Sequence, residues 1–219
     1  MNMRKHFDLH LTNLEDLLME MYKLSNEALV QSMNALNNQD LKLANQVIKQ
    51  DDRIDQLEHE INNKAILLIA KEAPVATDLR KIIVALKISS EIERIGDMAV
   101  NIAKSVLHIG QEKYIKPIID IPKMLDISIN MFEDVMLAFK EEDVTKARNC
   151  AVQDDEVDQM YGTLIQELMS YIPEKRESIN QITQLAFICR YIERVADHVT
   201  NISENVIYLV TGNRYDLNS

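Results

Sequence analysis

The chain has 219 residues, of which 27% are charged and 47% are hydrophobic, and its formal net charge is −11. An acidic chain without a basic cluster repels phosphate backbones, so we expect no nucleic acid partner. With only four Gly, four Pro and no Trp, the composition indicates an all-α protein.

The first half of the sequence predicts three helices. Apolar and small residues recur at alternating spacings of four and three from Phe7 onward, which indicates the first helix. Asp40 is placed to cap the second helix, and Pro74 is expected to end it. The third helix is predicted over residues 77–108, and Gly110 suits its C-terminus because glycine adopts positive φ without steric cost.

The second half repeats this organisation. The alternating spacing returns at Ile118. Asp143 lies between the fourth and fifth predicted helices, as Asp40 lies between the first and second. Ser178 is predicted to cap a sixth helix that runs to about residue 211. The longest uninterrupted apolar run, AILLIA at 65–70, is far shorter than the roughly 20 residues that cross a bilayer, so we expect no membrane span.

Matching sequence segments relate the two halves. The segment EIERIGDMAVN at 91–101 returns as YIERVADHVTN at 191–201, and QDDRIDQ at 50–56 returns as QDDEVDQ at 153–159. These repeats predict a duplicated unit and six helices in all. We therefore predict two tandem antiparallel three-helix bundles, residues 1–110 and 111–219, that pack against each other.

The repeated segments carry a polar stripe. At about 100° per residue, Glu93, Asp97 and Asn101 lie opposite the apolar arc of the third helix. The equivalent residues of the sixth helix form the same stripe: Glu193, Asp197 and Asn201. We expect both stripes to face away from the core. The simplest alternative is that they are solvated helix surfaces, although solvation does not explain why the same letters are kept in both halves.

A hard cation is the simplest species that would bind to these stripes and neutralise their charge. A Glu followed by an Asp four residues later places two like charges on neighbouring turns, which destabilises an isolated helix by a few tenths of a kcal/mol. Carboxylate and amide oxygens suit Mg²⁺, Ca²⁺, Mn²⁺ or oxidised iron. Four further carboxylates either turn toward the stripes or remain first-turn or surface acids: Asp51, Asp55, Asp154 and Asp158.

Other reactive residues are assigned no chemistry. Cys150 and Cys189 lack metal-ligand spacing, and we expect both to be small buried hydrophobes. His198 has no histidine counterpart in the third helix and is predicted to be a surface residue. Arg94 and Arg194 are expected to balance the charge of the neighbouring acids.

No arrangement of residues indicates an enzyme. The sequence has no Ser/His/Asp pattern, no Cys paired with His and no glycine-rich phosphate loop. A ferritin-like di-iron bundle requires Glu-x-x-His pairs, and the chain has none. Two alternatives to a metal-binding regulator stay open: a metalloenzyme that uses the same carboxylates, and a purely structural helical module.

The sequence resembles the PhoU family, the regulatory proteins of bacterial phosphate transport systems. The resemblance covers nearly the whole chain, from MRKHFDLHLTNLEDLL at the N-terminus to RYIERVADHVTNISENVIYLVTG near the C-terminus. It is specific, because a doubled (E/D)xxxD motif in a six-helix chain is the family signature. Carried onto this sequence, the motif acids are Glu93, Asp97, Glu193 and Asp197, and two amides also fit the family pattern: Asn101 and Asn201.

The resemblance implies a function that the residues alone do not. It implies a cytoplasmic adaptor that represses the phosphate-starvation response when phosphate is plentiful. Its partners would be the ATPase subunit of the phosphate transporter and a membrane sensor histidine kinase, which would be its contact with the membrane. The resemblance further implies a homodimer and metal, as iron or zinc clusters or as Mg²⁺ or Mn²⁺, at the acidic motifs.

Overall fold

The structure, a computed structural model, describes residues 3–217 and the side chains from residue 6 onward. Within these residues the chain forms helices and no strands, as the composition predicts. The six α-helices are α1 (Met3–Asn38), α2 (Leu41–Glu72), α3 (Ala76–Ile109), α4 (Asp120–Glu141), α5 (Val144–Ser170) and α6 (Ile179–Thr211). A 3₁₀ turn at Arg176–Ser178 precedes α6.

Two matched aspartates begin the second helix of each repeat. Asp40 Oδ1 accepts hydrogen bonds from the backbone N–H groups two and three residues on, both at 3.0 Å. Asp143 Oδ1 accepts the equivalent pair at 2.8 and 3.2 Å. Both predicted caps are confirmed, and each pairs N–H groups that have no partner within the helix. Gly110 and Gly212, with φ of 70° and 75°, follow the ends of α3 and α6.

The predicted cap at Ser178 is wrong. Ser178 has φ −96° and ψ 11° and makes no side-chain capping hydrogen bond. It belongs to the 3₁₀ turn, where its own N–H donates to Lys175 O at 3.0 Å. A capping residue needs an extended backbone to bring its side chain over the next N–H groups, and this turn leads into α6 without one.

The two repeats join mainly through α3 and α6. These helices are antiparallel, since Arg80 Nη1 near the start of α3 donates to Leu209 O near the end of α6 at 3.3 Å. Asn180 Nδ2 at the start of α6 donates to His108 O near the end of α3 at 3.1 Å. The donors, residues 80 and 180, correspond between the repeats and the acceptors nearly correspond, so the repeats meet about an approximate twofold axis. Helices α1–α3 and α4–α6 form the two predicted three-helix bundles.

One continuous apolar core runs through both bundles. A second seam joins α1 to α4, where the Tyr22 and Phe132 rings pack edge to face with centroids 4.8 Å apart. Cys150 and Cys189 are fully buried, as predicted, and burial raises the pKa of each thiol to about 12. Among the described residues, no helix is both long and apolar enough to cross a bilayer.

Candidate functional site

In the first repeat, α2 packs close to the acidic stripe of α3. A Cβ placed on Gly96 would lie 3.0 Å from Ile54 Cδ1 and 3.6 Å from Asp51 Oδ1. The missing side chain at Gly96 therefore lets α2 approach and brings the Asp51 carboxylate beside the turn that carries Asp97. Of the two alternatives for Asp51, the structure supports the one in which it turns toward the stripe, whereas Asp55 is exposed.

Three acids of the first repeat, Asp51, Glu93 and Asp97, are half-buried, and the last two pair with one exposed cation. Burial raises the pKa of Asp51 to about 6, and the charges of Asp55 and Asp97 add to this rise. Burial also raises the pKa of Glu93, with Asp97 next in importance. Arg94 Nε lies 3.3 Å from Glu93 Oε2, and Arg94 Nη1 lies 3.2 Å from Asp97 Oδ2. This confirms that Arg94 balances the charge of the stripe. Asn101 is half-buried on the same helix.

The acids of the second repeat are more deeply buried, which corrects the expectation of an outward-facing stripe. Glu193 is only 8% exposed and Asp154 only 9% exposed, while Asp197 is half-buried. The helical projection was right that these residues lie away from the apolar arc of α6. It could not show that α5 packs against α6 and covers the opposite face as well. Asp158 is exposed.

Burial and mutual repulsion favour the protonated acids in this repeat. The pKa of Asp154 rises to about 6, chiefly through burial and then through the charges of Asp158 and Asp197. The pKa of Glu193 rises to about 7, chiefly through burial and then through Asp197. Arg190 forms an ion pair with Glu193 and lowers its pKa in part. The arginine that pairs with a motif acid here is therefore Arg190 and not the predicted Arg194.

Two oxygens of this buried cluster accept no hydrogen bond of ordinary geometry: Asp154 Oδ1 and Glu193 Oε2. The Thr200 hydroxyl still lies close enough to Asp154 to lower its pKa in part. Both oxygens belong to residues that are more than nine-tenths buried. A buried carboxylate oxygen without a donor is costly, because burial removes the water that would otherwise solvate it. The second repeat therefore presents two acceptor oxygens that a cation or a proton would satisfy.

Glu91 and His198 link the two repeats beside these acids. His198 Nδ1 lies 2.8 Å from Glu91 Oε2, and Asn201 Nδ2 donates to the same oxygen at 3.2 Å. The prediction that His198 is a surface residue is wrong, since its side chain is only 16% exposed and bonded across the interface. Glu91 is not among the site residues predicted from the sequence. The available signal was its position at the start of the repeated segment, where the second copy has Tyr191.

The donor chemistry fits a hard cation, although the side chains do not form a complete cage. Among residues 6–217, no three His, Cys, Asp or Glu side chains gather around one point. A structural zinc site usually needs four protein ligands, commonly Cys or His. Mg²⁺ keeps several waters and uses only one or two carboxylates. The residues therefore fit a hydrated Mg²⁺ or Mn²⁺ better than a closed zinc site.

Comparison with known proteins gives one consistent result. A family model described as "PhoU domain" matches residues 18–106 and again residues 121–206. The chain is 39% identical over 216 residues to the "Phosphate-specific transport system accessory protein PhoU homolog" of Clostridium acetobutylicum, an alignment that covers 98% of this chain and 99% of the relative.

Two solved structures have the same fold. The crystal structure of the phosphate transport system regulatory protein PhoU from Streptococcus pneumoniae is similar with a TM-score of 0.90 and 32% identity, covering 96% of this chain and 99% of that one. The crystal structure of PhoU from Pseudomonas aeruginosa is similar with a TM-score of 0.91 and 31% identity, covering 94% of this chain and all of that one.

Proposed function

The chain belongs to the PhoU family, and on that premise we propose that it is an accessory regulatory protein of phosphate transport that represses the phosphate-starvation response when phosphate is plentiful. One observation carries the proposal: both family-domain matches fall on repeats that keep the doubled acidic motif intact. The proposed site of action is the cytoplasm. There the protein joins the ATPase subunit of the transporter to a sensor histidine kinase, and it acts as a homodimer.

The proposed mechanism is binding rather than catalysis, and metal is part of it. The motif acids and their neighbours on α2 and α5 would bind one hydrated cation in each repeat, one or two carboxylates directly and the others through its bound water: Glu93, Asp97, Asn101, Asp51 and Asp55 in the first, and Glu193, Asp197, Asn201, Asp154 and Asp158 in the second. A bound Mg²⁺ or Mn²⁺ would supply the positive charge that these carboxylates need when ionised. The unpartnered oxygens of Asp154 and Glu193 support this proposal.

A Mn²⁺ titration followed by thermal unfolding tests the two sites separately. We expect Mn²⁺ to raise the melting temperature of the wild type through both repeats. Glu93→Ala with Asp97→Ala should leave only the contribution of the second repeat. Glu193→Ala with Asp197→Ala should leave only the contribution of the first repeat.

The control removes an exposed pair of acids with the same spacing from α1, Asp16→Ala with Glu20→Ala, and should respond to Mn²⁺ as the wild type does. If all four proteins bind the same number of ions and melt alike, the stripes are solvated surfaces and the metal proposal is wrong.

The regulatory role is tested in cells with a reporter of a phosphate-starvation gene. A variant that lacks all four motif acids should accumulate normally but leave the reporter active in rich phosphate. Full repression by this variant would separate metal binding from regulation. Loss of repression by the Asp16/Glu20 control would instead mean that carboxylates at large, rather than the motif, are required.

The alternatives differ in measurable ways. A metalloenzyme would hydrolyse phosphoesters or oxidise iron at a catalytic rate that Asp97→Asn removes, and we expect no such rate. A purely structural module would bind its partners equally well after chelation and after loss of all four motif acids. For the homodimer, light scattering should give twice the chain mass of 25.2 kDa. A mass near that of one chain at micromolar concentration would reject it.

A further inference from the structure

Glu91 is a first-repeat residue whose side chain is bound by the second repeat. It lies on α3, and its Oε2 is 2.8 Å from His198 Nδ1 and 3.2 Å from Asn201 Nδ2, both on α6. A carboxylate only accepts hydrogen bonds, so His198 carries a proton on Nδ1 and donates it to this oxygen. The contact is sheltered, because the Glu91 and His198 side chains are 24% and 16% exposed.

The approximate twofold axis does not reproduce this contact on the other side. At the offset of 100 residues, Tyr191 stands in place of Glu91 and Met98 in place of His198. Neither replacement carries a carboxylate or an imidazole, and Met98 is a buried core residue. Asn101 retains its amide, but the position that would receive it across the interface is an aromatic ring. The polar link therefore supports the α6 stripe only.

The two donors to Glu91 flank a motif acid. His198 follows Asp197 directly, and Asn201 lies one turn further along α6. The two hydrogen bonds hold Asn201, which is itself a proposed ligand, and help to orient the turn that carries Asp197 toward Asp154 on α5. Outer residues that orient ligands in this way commonly change metal affinity by about 10–100-fold when they are removed.

We propose that Glu91 is a positioning residue for the acidic site of the second repeat, so that the first repeat holds the site of its neighbour in place. The inference rests on the proposed metal function. Glu91 is only two residues from Glu93 of the first-repeat site, yet it acts on the second-repeat site at Glu193 and Asp197. A residue that acted by proximity along the chain would affect the first-repeat site instead.

Single-site proteins make this distinction measurable. Free Mn²⁺ is followed by electron paramagnetic resonance in two backgrounds, one that keeps only the second-repeat site (Glu93→Ala with Asp97→Ala) and one that keeps only the first (Glu193→Ala with Asp197→Ala). We expect Glu91→Ala to raise the Kd for Mn²⁺ about tenfold in the first background. In the second background the Kd should change by less than about threefold, which is the matched control.

Two further variants separate positioning from charge. Glu91→Gln removes the charge but keeps an oxygen that accepts from His198 and Asn201, so it should restore a Kd within about threefold of its parent. His198→Met installs the first-repeat residue and leaves Glu91 charged, and it should weaken second-site binding several-fold. Its effect should not add to that of Glu91→Ala, because both changes break the same contact.

Each result has a definite meaning. Equal weakening by Glu91→Ala and Glu91→Gln, or no effect of His198→Met, would overturn the positioning role while leaving the metal proposal standing. Failure of both single-site proteins to bind Mn²⁺ would overturn the metal proposal and this inference together. Circular dichroism and thermal unfolding in chelator show whether each variant is folded. If Glu91→Ala does not fold, the effects of Glu91→Gln and His198→Met still test the proposal.

Discussion

The two repeats share helices, caps and motif but differ in how deeply they bury their acids. In the second repeat Glu193 and Asp154 are more than nine-tenths buried, whereas Glu93 and Asp51 are half-buried. Their neutralisation differs as well, since Arg94 bridges two acids of the first stripe and Arg190 pairs with one acid of the second. The acidic motif is therefore the same in both repeats, while the surroundings of each copy differ.

This difference shows that a repeated motif does not make a repeated environment. The electrostatic strain is greater in the second repeat, where burial raises the pKa of Glu193 to about 7. The polar link through Glu91 also supports only that repeat. If the cation sites form as proposed, we expect the second to depend more strongly on pH and on the contact between repeats.

The largest expected effects test whether the repeats share one core. Phe132 on α4 and Leu29 on α1 are fully buried and occupy matching positions in their helices. Phe132→Ala should cost about 3–5 kcal/mol of unfolding free energy and Leu29→Ala about 2–5 kcal/mol, through lost burial and the cavities left behind. Urea unfolding measures both.

A shared core predicts one cooperative transition in each of these variants. Two separate transitions, with only the mutated half destabilised, would show that the bundles unfold independently and would contradict the continuous core.

The next largest effect is a pH dependence that differs between the repeats. Glu193, Asp154 and Asp51 have pKa values raised to about 7, 6 and 6, so the fold favours their protonated forms. Their contribution to stability is present below about pH 4 and is lost as pH rises through 6 to 7. In chelator, the free energy of unfolding should therefore fall between pH 5 and pH 8.

Neutral replacements show which repeat causes the fall. Asp154→Asn with Glu193→Gln should remove about 1–2 kcal/mol of it, after allowance for solvent screening. Asp51→Asn with Glu93→Gln should remove less, because those acids are less buried. Equal effects of the two pairs would mean that the difference in burial has no electrostatic consequence. Saturating Mn²⁺ should oppose the fall, since the cation competes with protons for the same oxygens.

Unlike the buried acids, the helix caps should contribute equally to stability in both repeats. Asp40→Ala and Asp143→Ala should each cost about 1 kcal/mol, because each removes the acceptor for two backbone N–H groups. Ser178→Ala should change stability by less than about 0.5 kcal/mol, since this side chain makes no capping bond. Thermal unfolding at pH 5 checks all three, and a cost at Ser178 as large as at Asp40 would restore the original cap assignment.

The smallest expected effect concerns the arginines. Arg94 is 54% exposed, so Arg94→Gln should change stability by less than about 0.5 kcal/mol. Arg190→Gln should cost more at pH 8, because it leaves the buried Glu193 carboxylate without its cation. The gap between the two variants should close below pH 5, where Glu193 is protonated. A gap that persists there would point to packing of the Arg190 stem instead of charge.

The sequence by itself determined the helices, their matched caps and the duplication. Periodicity identifies the buried face of a helix because side chains three and four residues apart share that face. Asp40 and Asp143 could be recognised as caps because a capping bond spans only two or three residues. The doubled motif placed the candidate acids on one stripe in each repeat. All of these features depend on local geometry, which the order of residues specifies.

Only the tertiary structure decided what covers each stripe. A helical projection concerns one helix, so it could not show that α5 packs over Glu193 or that Gly96 lets α2 approach α3 and brings Asp51 beside Asp97. Glu91 and His198 are 107 residues apart, and nothing local relates them until α3 and α6 pack antiparallel. Burial, pKa and contacts between repeats depend on neighbours that are distant in the chain. For that physical reason the same motif residues differ in burial and in pKa between the two repeats.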